Sequence, residues 1–234
     1  MYSDLYKLLQ QDVRLKEGLH ACMNCGICTA VCPAAEFYEY DPRSIAITVQ
    51  SGNNEKIKNL LESDDIWYCG QCISCKPRCP RGNCPALIIS VLRKFSQETG
   101  AFTKSRLGRQ QYLLVKTLGN NILTLGYCVH PTTVVPETHP EQGPVWEWIY
   151  HNMENVYSTV GANLDGEGAG SLRKISDTDL SEIEQIFQQS GGLVLFKKIE
   201  DFSKLKAKEL GFIQKNGDAD MEKYTEYLLN NENI

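Results

Sequence analysis

Two stretches of the chain share one cysteine spacing. CMNCGICTAVCP (Cys22–Pro33) and CGQCISCKPRCP (Cys69–Pro80) both read C-x2-C-x2-C-x3-C-P. Nine of the ten cysteines lie in the first 84 residues, and only Cys128 stands apart. The N-terminus, MYSDLYKLLQQDVRLKEG, is amphipathic and mixed in charge, unlike a secretory signal. A reducing, cytoplasmic setting is therefore expected, and there clustered cysteines bind metal more readily than they form disulfides.

The spacing narrows the choice of metal. Two-residue gaps let three successive thiolates wrap one face of an iron–sulfur cubane. The fourth cysteine sits beyond them, next to a proline that turns the chain away. In two-cluster ferredoxins that fourth thiol ligates the other cluster. Applied here, Cys22, Cys25, Cys28 and Cys79 would hold one [4Fe–4S] cluster, and Cys69, Cys72, Cys75 and Cys32 a second. Structural zinc sites are the alternative, but zinc takes four ligands per ion, usually from two separated CxxC pairs. Because each expected cluster ties residues near 25 to residues near 75, iron should contribute fold stability as well as redox activity. Lys76, Arg78 and Arg81 adjoin the second run, whereas the first has no basic residue between its cysteines. On that reading the second cluster has the higher potential.

The remaining pattern is mainly α. Leu5, Leu8, Leu9 and Val13 fit one helix behind a Ser3 or Asp4 cap. Asp41-Pro42 starts a helix that Gly52 can end, and Ile57, Leu60 and Leu61 mark another. After Pro85, the residues Ile88, Val91, Leu92 and Phe95 define an amphipathic helix, with Arg93, Lys94, Gln97 and Glu98 expected to face away. Further helices are expected over 106–125, 145–156, 202–210 and 221–229, and the capping signature SDTDLSEIEQIF opens another. CVHPTTVVPETHPEQGP should break regular structure, GANLDGEGAG reads as a flexible connection, and GGLVLF as a short strand or buried turn. A boundary is expected near 130–142 or 160–172; placed at the first, it gives a cluster domain over 1–130 and a helical, partner-docking extension over 131–234.

At the cysteine runs the chain resembles the C subunit of heterodisulfide reductases. CMNCGICTAVCP, IWYCGQCISCKPRCPRG, the helix DPRSIAITVQSG and the long helix after Pro85 carry the resemblance over about residues 18–100. It implies an α-helical ferredoxin-type domain with two [4Fe–4S] clusters. It also implies an electron-transfer role between a flavin-containing A subunit and a catalytic B subunit. HPEQGPVWEW and GEGAG resemble the extended C subunits of heterodisulfide reductase-like complexes of sulfur-oxidising microbes. No CC pair, as in the substrate-site motif of the B subunit, occurs. Catalytic residues are therefore not expected in this chain. Iron–sulfur subunits of glycolate or glycerol-3-phosphate dehydrogenases, and a structural metal-binding interaction module, stay open as alternatives.

The net charge of −5 gives no reason to expect nucleic acid. No apolar run approaches the roughly 20 residues that span a bilayer, which leaves room only for peripheral membrane association through partners. Cys84 and Cys128 read as structural thiols, and His20, His130, His139 and His151 share no ligand spacing. Lys104, Arg106, Arg109 and Lys116 form a basic stretch readable as a solvated face or as a docking face for an acidic partner.

Overall fold

The computed structural model describes residues 4–139 and 142–230. Ser3, one of the two expected caps, lies outside them, as do Pro140 and Glu141 of the proline-rich segment. The described residues form helices and turns without a strand, and the one isolated antiparallel bridge joins Ile213 to Ala219. Two compact units divide the chain at Gln110/Gln111, earlier than either expected boundary. The reason is that the segment after Gln111 packs on a helix far along the second unit.

In the first unit the expected N-terminal helix is two: α1 (Leu5–Leu9) and α2 (Val13–Gly18). Asp4 caps α1, and Asp12 interrupts the run by accepting the Arg14 N–H, which starts α2 and leaves Val13 exposed. Two single turns follow, α3 (Ile27–Ala30) and α4 (Ala34–Phe37). Then come α5 (Pro42–Gln50), capped by Asp41, and α6 (Asn54–Glu62), capped by Asn53. The helix α7 (Pro85–Thr99) is the spine of the unit, packed by α2, α5 and α6. Its apolar stripe, Ile88, Ile89, Val91 and Leu92, is buried against Ile45, Val49, Ile57 and Leu61. Gly18 permits the close approach of α2: a Cβ there would sit 3.0 Å from Leu87 Cβ and 3.1 Å from the Cys84 carbonyl. Cys84 N–H in turn donates to Gly18 O at 2.8 Å. The turn α8 (Arg106–Arg109) closes the unit.

The expected 106–125 helix is broken. In the second unit α9 (Gln111–Leu114) runs through a π-turn, Val115–Gly119, into α10 (Asn120–Leu125). Asn152 divides the aromatic helix into α11 (Gly143–His151) and α12 (Met153–Thr159). GANLDGEGAG is held by backbone bonds from Asn163 to Ser171 and from Asp165 to Leu172. Ser176 caps α13 (Asp177–Gln189) through the Asp179 N–H, as its signature predicts. GGLVLF is neither strand nor turn but the opening of α14 (Gly192–Glu209), which absorbs the expected 202–210 helix. The last helix is α15 (Met221–Asn230). Tyr112, Ala207, Tyr224 and Leu228 make a small core. Val145, Trp148, Ile186, Val194 and Leu205 remain exposed. The basic stretch is paired at both ends, Lys104 with Glu62 at 2.7 Å in the first unit and Lys116 with Glu200 at 3.5 Å in the second. No helix among the described residues is long and apolar enough to cross a membrane.

Candidate metal centre

The first run is laid against α5. Gln50 accepts the Cys22 N–H and donates its amide to the Cys22 carbonyl at 3.2 Å. Asp41, besides capping α5, accepts the Thr29 hydroxyl and pairs with Arg43 at 2.7 Å. Burial opposes ionisation of Asp41, but the Thr29 and Arg43 hydrogen bonds hold its carboxyl below the usual range.

The second run hangs from α7, and here the expected outward face is corrected. Arg93 does not point to solvent. Its guanidinium folds back over the Trp67 ring at 5.3 Å. It donates to the carbonyls of Ile66 (2.6 Å), Trp67 (2.9 Å) and Cys69 (2.7 Å). Burial lowers the guanidinium's affinity for its proton, partly countered by Cys69 and Tyr40. Ser90, one turn earlier on α7, donates to Gln71 Oε1 at 2.6 Å, and Gln71 Nε2 reaches Cys69 Sγ at 3.7 Å.

Both runs use the same backbone conformation. Asn24 and Gln71, each two residues after a first cysteine, have φ of 61° and 55°. Gly26 and Ile73, each four residues after, have φ of 83° and 60°. Left-handed residues on either side of the second cysteine curl each run around a hollow. Glycine takes that conformation without strain, whereas β-branched Ile73 does not.

Two hollows result. One is lined by Cys22, Cys25, Cys28 and Cys79 together with Arg43, Arg81 and Asn83. The other is lined by Cys32, Cys69, Cys72 and Cys75 together with Tyr40, Ser74 and Ala86. Each therefore gathers three thiols from one run and one from the other. Arg81 follows the second run in sequence yet lines the cavity of the first, as Arg43 does, while Lys76 and Arg78 line neither. The premise that only the second run has basic neighbours is thereby overturned.

The donor set suits a polynuclear group. Among the described residues no three His, Cys, Asp or Glu side chains converge as ligands of a single ion. The eight thiols instead surround two hollows. Burial, and then neighbouring Cys22, pushes the Cys28 thiol up. Burial does the same to Cys75, up to about 11, with buried Cys84 adding to it. Hydrogen bonds from Ser74 hold the more exposed Cys72 down. Thiolates disfavoured by burial become stable when a cationic iron–sulfur core lies against them. Four thiols per cavity is the complement a [4Fe–4S] cluster takes. Cys84 lines neither cavity, and Cys128 is exposed with its carbonyl accepting from Asn121 at 3.3 Å. Buried His130 shares a hydrogen bond with Thr132 at 2.8 Å, and no histidine lines either cavity.

Tyr40 and Asn83 were not singled out from the sequence. Both are buried, each lines one cavity, and Tyr40 Oη and Asn83 Nδ2 make no hydrogen bond of full geometry with the protein. Burial, and then Cys69, holds the Tyr40 phenol far above its ordinary range.

A family model described as a 4Fe-4S dicluster domain matches residues 18–83. The C subunit of the ferredoxin:CoB-CoM heterodisulfide reductase of Methanosarcina acetivorans is 32% identical over 189 residues, covering 80% of this chain and 69% of that protein. The second iron–sulfur C subunit of the CoB–CoM heterodisulfide reductase of Methanocaldococcus jannaschii is 34% identical over 149 residues, 62% of this chain and 73% of that protein. A third relative is the C2 subunit of the H2/formate:CoB-CoM heterodisulfide, ferredoxin reductase of Methanococcus maripaludis. It is 33% identical over 97 residues, 42% of this chain and 50% of its own. With the helical dicluster architecture, these likenesses place the chain in the family of heterodisulfide reductase C subunits, as an iron–sulfur electron-transfer protein with two [4Fe–4S] clusters.

Proposed function

We propose that the chain relays single electrons between a flavin-containing A subunit and a catalytic B subunit of a cytoplasmic heterodisulfide reductase-like complex. In this reading Cys22, Cys25, Cys28 and Cys79 ligate one cluster, and Cys32, Cys69, Cys72 and Cys75 the other. The observation that carries it is the crossed lining of the two cavities. Each cluster, when bound, supplies a site that takes up and gives back one electron at a time. The protein's own part is to hold the ligands. Gln50 and Asn83 anchor the approach to Cys22, and Arg93 and Gln71 anchor Cys69. Disulfide or thiol chemistry belongs to the partner in this reading, which the absence of a CC pair supports.

Residues 131–234 are read as a docking extension, supported by exposed Val145, Trp148, Ile186, Val194 and Leu205. The match to the M. acetivorans protein spans four fifths of this chain, so a long tail does not by itself assign the protein to sulfur-oxidising complexes.

Anaerobic affinity purification should yield a brown protein that bleaches with dithionite and brings a flavoprotein and a second iron–sulfur protein with it. Cys79→Ser should damage the cluster of Cys22, Cys25 and Cys28 and spare the other. Cys32→Ser should do the reverse. A Cys79→Ser protein whose own run loses its cluster overturns the ligand sets.

A further inference from the structure

Each cavity wall contains one buried hydrogen-bond donor that the protein itself leaves unmatched. Tyr40, 4% exposed, lines the cavity of Cys32, Cys69, Cys72 and Cys75; its hydroxyl makes no hydrogen bond of full geometry with the protein, and the thiol that acts on it most is Cys69 of that cavity. Its ring is fixed by Tyr68, whose centroid lies 6.1 Å away and which itself stacks on Tyr38. Asn83, 3% exposed, lines the cavity of Cys22, Cys25, Cys28 and Cys79. Its Oδ1 accepts the His20 N–H, so the amide cannot rotate freely, and its Nδ2 is left without an acceptor.

A buried donor without an acceptor is costly, and among the buried unpartnered side-chain atoms of the described residues these two belong to residues that line the thiol cavities, where a group not made of protein atoms could meet them. That two occur, one per cavity and each beside thiols, gives the missing acceptors a chemical class. Sulfur atoms carrying negative charge fit that class. Water is the alternative acceptor, but both cavities are walled chiefly by thiols and apolar side chains. Gln71, which already reaches Cys69 Sγ, shows the same use of a side-chain amide.

We propose that the Tyr40 hydroxyl and the Asn83 amide are hydrogen-bond donors to the sulfur atoms of the two clusters, one donor to each. The inference rests on the ligand sets proposed above. A donor at sulfur stabilises the more negative, reduced cluster and so raises its potential. Tyr40 and Asn83 thus act as separate adjusters of two neighbouring redox sites, without ligating either.

The test is an anaerobic redox titration of the full chain, each cluster followed by its own paramagnetic signal. Tyr40→Phe keeps the ring and should lower the midpoint potential of the Cys69-run cluster alone. Asn83→Asp keeps the acceptor for the His20 N–H and should lower that of the Cys22-run cluster alone. Because Asn83→Asp also adds charge, a second readout is needed. Protein reconstituted with iron and sulfide in D2O should show, by electron–nuclear double resonance, a deuteron coupled to each reduced cluster that the matching variant loses. If Tyr40→Phe fails to hold its clusters, 3-fluorotyrosine placed at position 40 supplies a stronger donor and should raise the same potential. Unchanged potentials and deuteron couplings, with full iron and sulfide, overturn the proposal. Wild-type protein without iron or sulfide overturns the cluster reading beneath it instead.

Discussion

Arg93→Met removes the guanidinium that suspends the second run while keeping an apolar stem over Trp67. Three carbonyls, those of Ile66, Trp67 and Cys69, lose donors at 2.6, 2.9 and 2.7 Å. A hydrogen bond from a charged donor contributes about 1.5–3 kcal/mol. The stacked cation adds about 0.5–1 kcal/mol. Against this, methionine carries no half-buried charge to desolvate, which offsets a large share of the sum. A net loss of about 3 kcal/mol remains, roughly a hundredfold in the equilibrium for opening the turn that begins at Cys69. The assay is iron release to a ferrous chelator under anaerobic conditions, in the regime where reclosing outpaces capture. Paramagnetic signals show which cluster is lost. Release from the Cys69-run cluster should quicken about a hundredfold, and Arg93→Lys, with fewer donors, should fall between. Release within about threefold of wild type, or quickened loss confined to the other cluster, would refute the account.

Ile73→Gly should raise the melting temperature. Relief of left-handed strain, ~1–2 kcal/mol, exceeds the added chain entropy of glycine, and the side chain is 46% exposed. Gly26→Ala at the matching position should instead cost about 1 kcal/mol, and shifts of the same sign in both variants would contradict the shared conformation. Arg81→Gln should lower the potential of the Cys22-run cluster by on the order of 50 mV in a redox titration, with little change at the other. Stripping iron with a chelator should expose 22–32 and 69–79 to limited proteolysis before the α7 core is cut, with an accompanying drop in thermal stability.

Much of the first unit was legible because its signals are local. Proline at the first helical turn, Asp41 as a cap, and the apolar period after Pro85 each act over a few residues. The two cysteine runs stood out for the same reason, since their repeated spacing is read within a dozen residues. The periodicity of α7 put Arg93 on the solvent side, and its Cα does leave the apolar stripe. A long flexible side chain can nevertheless return to bare carbonyls on a neighbouring segment. Arg81 misled for a related reason. Its sequence neighbour Cys79 crosses to the other cavity, and Arg81 goes with it. GGLVLF was ambiguous because a short apolar run suits a strand or a helix start equally, and only α14 downstream decides. Tyr40 and Asn83 carried no sequence signal, since their interest lies in what each fails to bond.

The crossed lining also bears on how the protein is made. As the chain leaves the ribosome, its first half presents Cys22, Cys25, Cys28 and Cys32, four thiols of which only three line one cavity. Cys75 completes the other set a few residues before Cys79 completes this one. Under the ligand sets proposed above, an inserted cluster would until then have to borrow Cys32, and closing on it would strand the second run one thiol short. Delivery of iron and sulfide is thus best timed after residue 79 has emerged, with both sites filled in one late step rather than in order of synthesis.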